Sequence, residues 1–344
     1  MTQRRVRVAV LSGGRSSEHD ISIASARSVV AALDPDRYET IAIAIGREGK
    51  WELPSVGERQ SLPPTEGDTT IDTLPVIAKS GPAAELGRVD VVLPILHGPF
   101  GEDGTVQGLL ELAGVPYVGA GVAASALCMD KDLFKAVLRD RGIPVARNVT
   151  LRDGDVPEHP FPYPVFVKPA RLGSSVGITK AHDEEELRAA VALARRHDDK
   201  VLIEELLEGI EVECGVLGNR DPIASQVGEI VANAEWYDYS AKYDEGGMEL
   251  VIPARISPAA TDRVRRLAVE SFVATECEGM ARIDLFVRQG GEVVVNEINT
   301  IPGFTATSVY AKLFEASGIP YGELLDRLVE LALERHERRS RLLF

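Results

Sequence analysis

Cysteine is scarce in this chain, and long apolar runs are lacking. The three cysteines among 344 residues, Cys128, Cys214 and Cys277, are far apart, so the sequence contains neither a zinc-binding spacing nor a disulfide framework. No apolar stretch approaches the roughly 20 residues of a transmembrane helix, and the first residues lead into a strand pattern rather than a signal sequence. We therefore expect reduced thiols, a cytoplasmic location and no membrane partner.

Basic residues are outnumbered by acidic ones. The chain has 38 Lys and Arg against 53 Asp and Glu, a formal net charge of −15. A surplus of negative charge argues against nucleic acid or an anionic membrane as a general partner. It still allows an anionic small molecule to bind in a local basic pocket.

Two common nucleotide-binding fingerprints are missing. The first strand pattern, residues 6–11, ends near the adjacent glycines Gly13 and Gly14, which do not fit G-x-G-x-x-G, so we expect no NAD site there. The loop that follows Lys168 joins two strand patterns and lacks the G-K-[ST] of a Walker P-loop. Neither a dinucleotide fold nor a P-loop is therefore predicted.

An acidic hairpin pattern is present between residues 282 and 303. Two β-branched runs flank the turn at residues 288–291, as in an antiparallel hairpin. Asp284 lies near the start of the first run, and Glu297 and Asn299 lie near the end of the second, so pairing brings the three side chains together. Carboxylates so placed repel unless a cation lies between them, and oxygen ligands suit Mg²⁺. Spacing alone leaves open a surface hairpin with solvated acids.

The first part of the chain predicts an α/β unit. Its strand and helix patterns alternate, at residues 6–11, 21–33, 38–45, 89–96 and 105–113, and a new amphipathic helix pattern follows the unit at residues 123–141. Such alternation is typical of a parallel sheet covered by helices. Glycine-rich turns follow the first and third strands, where open sheets of this class bind ligands, and His97 lies in the second turn.

Two later stretches each allow two interpretations. The loop from Gly173 to Gly177 follows the strand that carries Lys168, and it is either a phosphate clamp or a plain Gly-Ser hairpin. The polar segment at residues 236–249 contains Lys242 and Tyr243. It is either a lid over a site or a surface loop with ordinary aromatic packing.

Several stretches, taken in order, resemble the D-alanine–D-alanine ligases of the ATP-grasp superfamily. Each is weak alone, but together they are specific and span essentially the whole chain. The connection at residues 46–87 is the main departure; it resembles the longer members of the family and touches no motif. The matching stretches lie at residues 13–18, 97–104, 129–131, 168–169, 173–177, 241–243, 282–284 and 296–303.

The resemblance implies an α/β (α+β) ATP-grasp fold in three parts. These are an N-terminal Rossmann-like pre-ATP-grasp domain at residues 1–121, a central domain at residues 122–207, and a C-terminal domain at residues 208–344. The last would carry the lid loop, about residues 236–249, and the metal site. ATP would lie between the last two domains, and the resemblance also suggests a homodimer.

The resemblance further implies which residues bind the nucleotide and the metal. Lys131 and Lys168 would contact the phosphates, residues 204–207 would meet adenine largely through backbone groups, and Glu211 would hold the ribose. Asp284, Glu297 and Asn299 would bind two Mg²⁺ ions, or Mn²⁺. The full set implied for the nucleotide is Lys131, Lys168, Ser174, Ser175, Glu204, Glu205, Leu206, Leu207, Glu211, Lys242 and Asn296.

The substrate roles are implied in the same way. Glu18 would pair with the ammonium of a first D-alanine, and Ser174 and Tyr243 would hydrogen-bond with Glu18 and fix the lid. Arg282 and the Gly303 N–H would stabilise an oxyanion. The remaining implied substrate-binding residues are His97, Lys242, Ser308 and Val309.

The implied reaction is the ATP-dependent joining of two D-alanines for peptidoglycan precursors. The first carboxylate would attack the γ-phosphate of ATP, and the amine of the second D-alanine would attack the resulting acyl phosphate. A D-alanine–D-lactate ligase is the nearest alternative, although Ala241-Lys242-Tyr243 looks like the dipeptide-forming type. An ATP-binding protein without activity is the other alternative, which the intact set of lysines, Arg282 and acidic ligands opposes.

Overall fold

The computed structural model of the chain describes residues 4–52, 88–232 and 248–343. Most of the connection predicted at residues 46–87 lies outside these ranges. So does most of the predicted lid, including Lys242 and Tyr243. The predictions for these two residues therefore stay predictions.

The first sheet contains four strands in the order β3-β2-β1-β4. Strand β1 pairs in parallel with β2 and β4, and β3 pairs antiparallel with β2. Its strands are β1 (Val6–Gly13), β2 (Tyr38–Ile45), β3 (Trp51–Glu52) and β4 (Val91–Pro94). The predicted parallel unit is confirmed, with β1 and β4 buried along nearly their whole length as expected of central parallel strands.

The second sheet is antiparallel and contains four strands in the order β5-β8-β6-β7. They are β5 (Asn148–Leu151), β6 (Val165–Pro169), β7 (Thr179–Ala181) and β8 (Val201–Glu205). Lys168 lies at the end of β6, and the Gly-Ser loop leads from there into β7. The second strand was predicted near Val176, but it begins at Thr179 because residues 174–177 form a turn first.

The third sheet is antiparallel, with five strands in the order β11-β10-β9-β12-β13. They are β9 (Ile210–Gly218), β10 (Ile223–Ala232), β11 (Met248–Val251), β12 (Gly279–Val287) and β13 (Val293–Asn299). Strands β12 and β13 form the predicted acidic hairpin. Asp284 is not near the start of its strand as predicted, because pairing with β9 extends β12 back to Gly279.

Eight helices cover these sheets within the described ranges. They are α1 (His19–Ala32), α2 (Thr105–Leu112), α3 (Val122–Met129), α4 (Lys131–Asp140), α5 (Glu184–Ala194), α6 (Pro258–Ala274), α7 (Val309–Glu315) and α8 (Tyr321–Ser340). The predicted mixed α/β class is confirmed. None of the helices in these ranges is long and apolar enough to cross a membrane.

The single helix predicted over residues 123–141 is wrong, because Asp130 divides it into α3 and α4. Asp130 has extended backbone angles, and its side chain accepts hydrogen bonds from the backbone N–H groups of Asp132 and Leu133. An Asp in this role begins a new helix. The break places Lys131 at the first position of α4.

Helix α4 connects two parts of the structure. Its apolar residues Phe134 and Leu138 belong to the core that α6 forms with the third sheet. Lys135 pairs with Glu204 of β8 in the second sheet, and Lys131 pairs with Glu297 of β13 in the third. Because burial of a large apolar side chain stabilises a fold by roughly 1.5–3 kcal/mol, Phe134 and Leu138 fix the helix that carries these lysines.

Candidate active site

A cavity of about 390 Å³ lies where the first and third sheets and the Gly-Ser loop meet. The residues predicted for the site that line it are Glu18, His97, Ser174, Arg282, Glu297, Asn299, Gly303, Ser308 and Val309. They come from distant parts of the chain. The structure therefore brings together the residues that the sequence singled out for substrates.

Pairing between β12 and β13 places the acidic hairpin residues together, as predicted. Asp284 lies opposite Glu297, and Arg282 lies opposite Asn299. Asn299 Nδ2 donates to Asp284 Oδ2 at 2.9 Å. Asn296 is the extra residue of a β-bulge between the Asp284–Glu297 pair and the Leu285–Val295 pair, and bulges of this kind redirect side chains near active sites.

Arg282 is held by two carboxylates. Its guanidinium makes a two-pronged contact with Asp284, with both distances 2.8 Å, and its Nε lies 2.9 Å from Glu213 Oε2 on β9. Although burial opposes the charge, Asp284 and Glu213 raise the pKa of Arg282. A permanently charged guanidinium at the cavity wall can stabilise negative charge that develops there.

The donor set at this hairpin fits a magnesium ion only in part. Among the described residues, no group of three or more His, Cys, Asp or Glu side chains is arranged to hold a metal. Asp284 and Glu297 supply two neighbouring carboxylates, and Asn299 can supply an amide oxygen. Mg²⁺ usually takes one or two carboxylates and completes its shell with phosphate and water, so the set fits a metal that arrives with a nucleotide.

Two lysines predicted for the phosphates lie beside this hairpin. Lys131 Nζ is 2.9 Å from Glu297 Oε1 and donates to the carbonyl oxygen of Leu172 at 2.6 Å. Lys168 Nζ is 2.5 Å from Glu204 Oε2. Although burial lowers it, Glu204 raises the pKa of Lys168 above its ordinary value. Lys131 is thus paired directly with a carboxylate of the hairpin, and Lys168 with Glu204 of the second sheet.

The Gly-Ser loop has an unusual backbone. Ser174 and Ser175 both adopt left-handed conformations, with φ of 52° and 57°. Such angles are uncommon for residues other than glycine, and they cluster at functional sites. Successive residues outside the ordinary regions can turn several N–H groups toward an anion. The phosphate clamp is therefore favoured over a plain hairpin.

The segment predicted for adenine uses its side chains elsewhere. Glu204 pairs with two lysines, and Glu205 Oε2 accepts hydrogen bonds from Arg147 Nε at 2.8 Å and Arg147 Nη2 at 2.6 Å. With both carboxylates engaged, residues 204–207 would offer mainly backbone groups to a base, in line with the prediction. Glu211 lies on β9, and its charge contributes to the raised pKa of Lys168.

Glu18 lies at the N-terminus of α1, between two glycine-containing loops. Its Oε2 is 3.0 Å from the position a Cβ would take at Gly98 and 3.7 Å from the corresponding position at Gly173. A side chain at Gly98 would therefore crowd the carboxylate. The hydrogen bonds predicted between Glu18, Ser174 and Tyr243 remain a prediction, since Tyr243 lies outside the described ranges.

His97 and Glu102 hold the loop that carries Gly303. His97 Nδ1 donates to the Ile301 carbonyl oxygen at 2.9 Å, and Glu102 accepts from the Ile301 and Gly98 N–H groups at 2.9 and 2.8 Å. Burial lowers the pKa of His97, which keeps its ring neutral. His97 thus contacts the backbone at Ile301, two residues before the predicted oxyanion donor, and its Nε2 lies 3.4 Å from Ser25 Oγ.

The acceptor end of the cavity is built around Ser308. The Ser308 Oγ accepts from the Thr305 N–H at 3.0 Å, and Ser308 caps the start of α7, where Val309 is the first helical residue. Backbone N–H groups at a helix start are suited to a carboxylate. Lys312, one turn further along α7, also lines the cavity.

We predict that Glu102 makes stability depend on pH. Burial, aided by the charge of Glu18, raises the pKa of Glu102 to about 8 from 4.5. The folded protein therefore binds this proton more tightly than the unfolded chain, and the stabilisation is complete below 4.5 and is lost as the pH rises to about 8. The free energy of unfolding, measured with denaturant across this pH window, should fall less steeply with pH in Glu102→Gln than in the wild type.

The exposed Glu315 provides a control, because Glu315→Gln also removes one carboxyl group. That variant should keep the wild-type slope. Equal slopes for Glu102→Gln and the wild type would contradict the assignment.

Besides Glu102, which lines the cavity, the sequence-based prediction missed three charged residues of the site. Glu213 reaches Arg282 from β9, a strand some 70 residues earlier in the chain, so no local sequence pattern predicts their contact. Lys312 lines the cavity from a short helix. Lys135 was detectable, because it lies four residues after Lys131 and such residues share a helix face.

Two protein-family models match the chain. The model described as D-ala D-ala ligase N-terminus matches residues 7–120, and the model described as D-ala D-ala ligase C-terminus matches residues 137–330. A D-alanine–D-alanine ligase of Solibacter usitatus is 48% identical over 98% of this chain and 98% of its own length. One from Deinococcus radiodurans is 48% identical over 95% of this chain and 98% of its own length.

Solved structures give the same result. A D-alanine–D-alanine ligase from Coxiella burnetii has a TM-score of 0.83 and 36% identity, over 98% of this chain and 97% of that chain. The VanG D-Ala:D-Ser ligase from Enterococcus faecalis has a TM-score of 0.81 and 35% identity, over 96% and 100%. A Bacillus anthracis D-alanine–D-alanine ligase complexed with ATP has a TM-score of 0.77 and 27% identity, over 97% and 99%.

Proposed function

The chain belongs to the D-alanine–D-alanine ligase family, and from this premise we propose how its residues join two D-alanine molecules. It is an ADP-forming carbon–nitrogen ligase with the ATP-grasp fold, as the resemblance implied. Its product is D-alanyl-D-alanine, a precursor for peptidoglycan. The single observation that carries the residue assignments is the convergence of Glu18, Arg282 and Ser308 on one cavity.

The phosphates of ATP bind to Lys131, Lys168 and the backbone of the Gly-Ser loop. The two Nζ atoms approach from α4 and β6, and the left-handed residues Ser174 and Ser175 turn N–H groups toward the anion. These cations offset the repulsion between the γ-phosphate and a carboxylate nucleophile. Residues 204–207 meet adenine, Glu211 meets the ribose, and Asn296 and Lys242 complete the nucleotide site.

Asp284, Glu297 and Asn299 would hold the magnesium ions that accompany ATP, with Mn²⁺ as a substitute. A bound metal would supply charge neutralisation at the phosphate oxygens. Asp284 would serve both the metal and Arg282. Glu213 remains beside the guanidinium and keeps Arg282 at the cavity wall.

The first D-alanine binds with its ammonium at Glu18 and its carboxylate toward the γ-phosphate. The carboxylate displaces ADP and becomes an acyl phosphate. The second D-alanine binds with its carboxylate at Ser308 and the Val309 N–H. Its amine then attacks the acyl carbon, and Arg282 and the Gly303 N–H stabilise the oxyanion before phosphate leaves.

His97 and Glu102 position this second step. They form hydrogen bonds with both the carbonyl oxygen and the N–H of Ile301, and so fix the backbone that leads to Gly303. The predicted lid, in which Tyr243 would hydrogen-bond with Glu18 and Ser174, would exclude water. Water otherwise hydrolyses an acyl phosphate.

Phosphate release from ATP, measured with and without D-alanine, tests the reaction. We expect release that depends on D-alanine, with D-alanyl-D-alanine as the product identified by mass spectrometry. Acceptor competition with D-serine and D-lactate tests specificity, because a D-Ala:D-Ser ligase shares the fold. Release without any dipeptide would contradict the function, and a preference for D-lactate would favour the ester-forming alternative.

The assembly and the domain boundaries are also proposals. We propose a cytoplasmic homodimer with domains at residues 1–121, 122–207 and 208–344. Light scattering in solution tests the dimer, and cell fractionation tests the location. Limited proteolysis tests the boundaries, since linkers between domains are cleaved first.

A further inference from the structure

A buried group of three charges lies behind the proposed phosphate site. Lys135 of α4 and Lys168 of β6 both pair with Glu204 of β8, Lys135 with Oε1 and Lys168 with Oε2 at 2.5 Å. The side chains of Lys135 and Glu204 are 0% and 2% exposed. No other role in the site has been assigned to Lys135.

The local structure dictates this arrangement. Lys168 lies opposite Leu202 on β8, and Glu204 is two residues further along β8. The side chains of Lys168 and Glu204 therefore lie on the same face of the second sheet. Lys131 and Lys135 are four residues apart on α4 and so share a side of the helix. Lys135 reaches Glu204 on that face of the sheet, whereas Lys131 reaches Glu297 of the third sheet.

The charges of this group do not cancel. Two lysines and one glutamate leave a net charge of about +1 at neutral pH. Burial lowers the pKa of Lys135 to about 8, while burial of Glu204 is outweighed by the two lysines, which lower its pKa to about 2. Near pH 7 all three groups are therefore ionised. Without Lys135, Glu204 and Lys168 would form a neutral pair.

We propose that Lys135 is a positioning residue for the nucleotide: by sharing Glu204, it leaves the positive charge of Lys168 available to the phosphates of ATP. The inference rests on the proposed role of Lys168. It predicts that Lys135 affects binding of the phosphates and not of the nucleoside. A residue that only stabilised the fold would weaken both alike.

The test compares ADP with adenosine, which lacks phosphates, as ligands of the full-length protein at pH 7. Lys135→Met should weaken ADP binding on the order of tenfold, since it removes one unit of charge from a poorly screened site. Adenosine affinity should change less than about twofold. An equal loss for both ligands, or no loss for ADP, would overturn the proposal.

A double variant gives the sharper result. Lys135→Met with Glu204→Gln removes one cation and its anion together, so Lys168 regains a net positive charge. ADP affinity should return to within about threefold of the wild type, a coupling that a double-mutant cycle measures. Lys168 is then the one charge left in the group, and its side chain is 13% exposed, so the stability of this variant is measured beside its ADP affinity. Failure to recover ADP binding would contradict the charge argument.

Lys200 is the matched control. It is as buried as Lys135, and its Nζ pairs with Asp130 at 2.7 Å and with Asp132 at 2.8 Å rather than with Glu204. Lys200→Met should lower stability comparably but keep the wild-type ratio of ADP to adenosine affinity. If the wild type showed no ligase activity and bound no ADP, the proposed function would fail. If the wild type were active and Lys135→Met kept the wild-type ADP affinity, only this inference would fail.

Discussion

Replacement of Arg282 by alanine should lower kcat on the order of 10²–10³ while changing ATP affinity little. Loss of one oxyanion donor has effects of this size. Arg282 lines the cavity, and its neighbours Asp284 and Glu213 keep it charged. Its charge matters most when the tetrahedral oxyanion forms, a stage that follows both ATP binding and transfer of the γ-phosphate. Single-turnover kinetics and ATP binding, measured separately, distinguish these stages.

The same substitution leaves Asp284 and Glu213 facing each other without the guanidinium. Their repulsion should lower the free energy of unfolding, so stability must be measured beside activity. Arg282→Lys keeps the charge but loses the two-pronged contact, and should recover part of the stability and less of kcat. A collapse of ATP binding, with a normal rate at saturation, would show that the oxyanion role is wrong.

Arg255, in the loop after β11, provides a control, because its partner Glu229 lies on β10 of the same sheet as Arg282. It makes an equivalent two-pronged contact with Glu229, at 2.9 and 2.7 Å, and it is not among the residues that line the cavity. Arg255→Ala should therefore lower stability without the loss in kcat. Equal losses in kcat for the two variants would mean that the effect at Arg282 is structural.

Local patterns in the sequence were enough to predict the acidic hairpin. Alternating β-branched residues and the glycine turn determine the register between β12 and β13. That register places Asp284 opposite Glu297. The motif resemblance pointed to Glu18, His97 and Ser308, which line the same cavity. The positions of these residues could be anticipated because each depends on neighbours in sequence or on a known order of motifs, whereas their roles stay predictions.

Contacts between distant strands could not be predicted in this way. Glu213 meets Arg282 only because β9 pairs with β12, and no period in either strand encodes that choice. Likewise, nothing in the strand of Glu204 indicates that two lysines will take its carboxylate. The break at Asp130 was readable in principle, since Asp followed by a helical pattern is a capping signal, but the apolar periodicity on both sides concealed it.

Glu297→Gln should reduce turnover far more than stability. Glu297 is one of two carboxylates proposed to hold the metal, and its Oε1 also lies 2.9 Å from Lys131 Nζ. The amide removes the charge that attracts a cation and weakens the pairing with Lys131, while it keeps the size of the side chain. Because changes even to partners of metal ligands reduce metal affinity or activity about 10–100-fold, we expect at least that loss in kcat.

Metal binding itself separates the two roles of Glu297. Electron paramagnetic resonance of Mn²⁺ in the presence of ADP should show affinity reduced on the order of tenfold or more in Glu297→Gln, whereas loss of the Lys131 contact alone would weaken ADP and leave Mn²⁺ affinity unchanged. Glu229→Gln is the control, because Glu229 is a carboxylate of the same sheet paired with Arg255. It should keep wild-type Mn²⁺ affinity. A near-normal rate for Glu297→Gln at ordinary Mg²⁺ would remove Glu297 from the metal site and leave Asp284 as its remaining carboxylate.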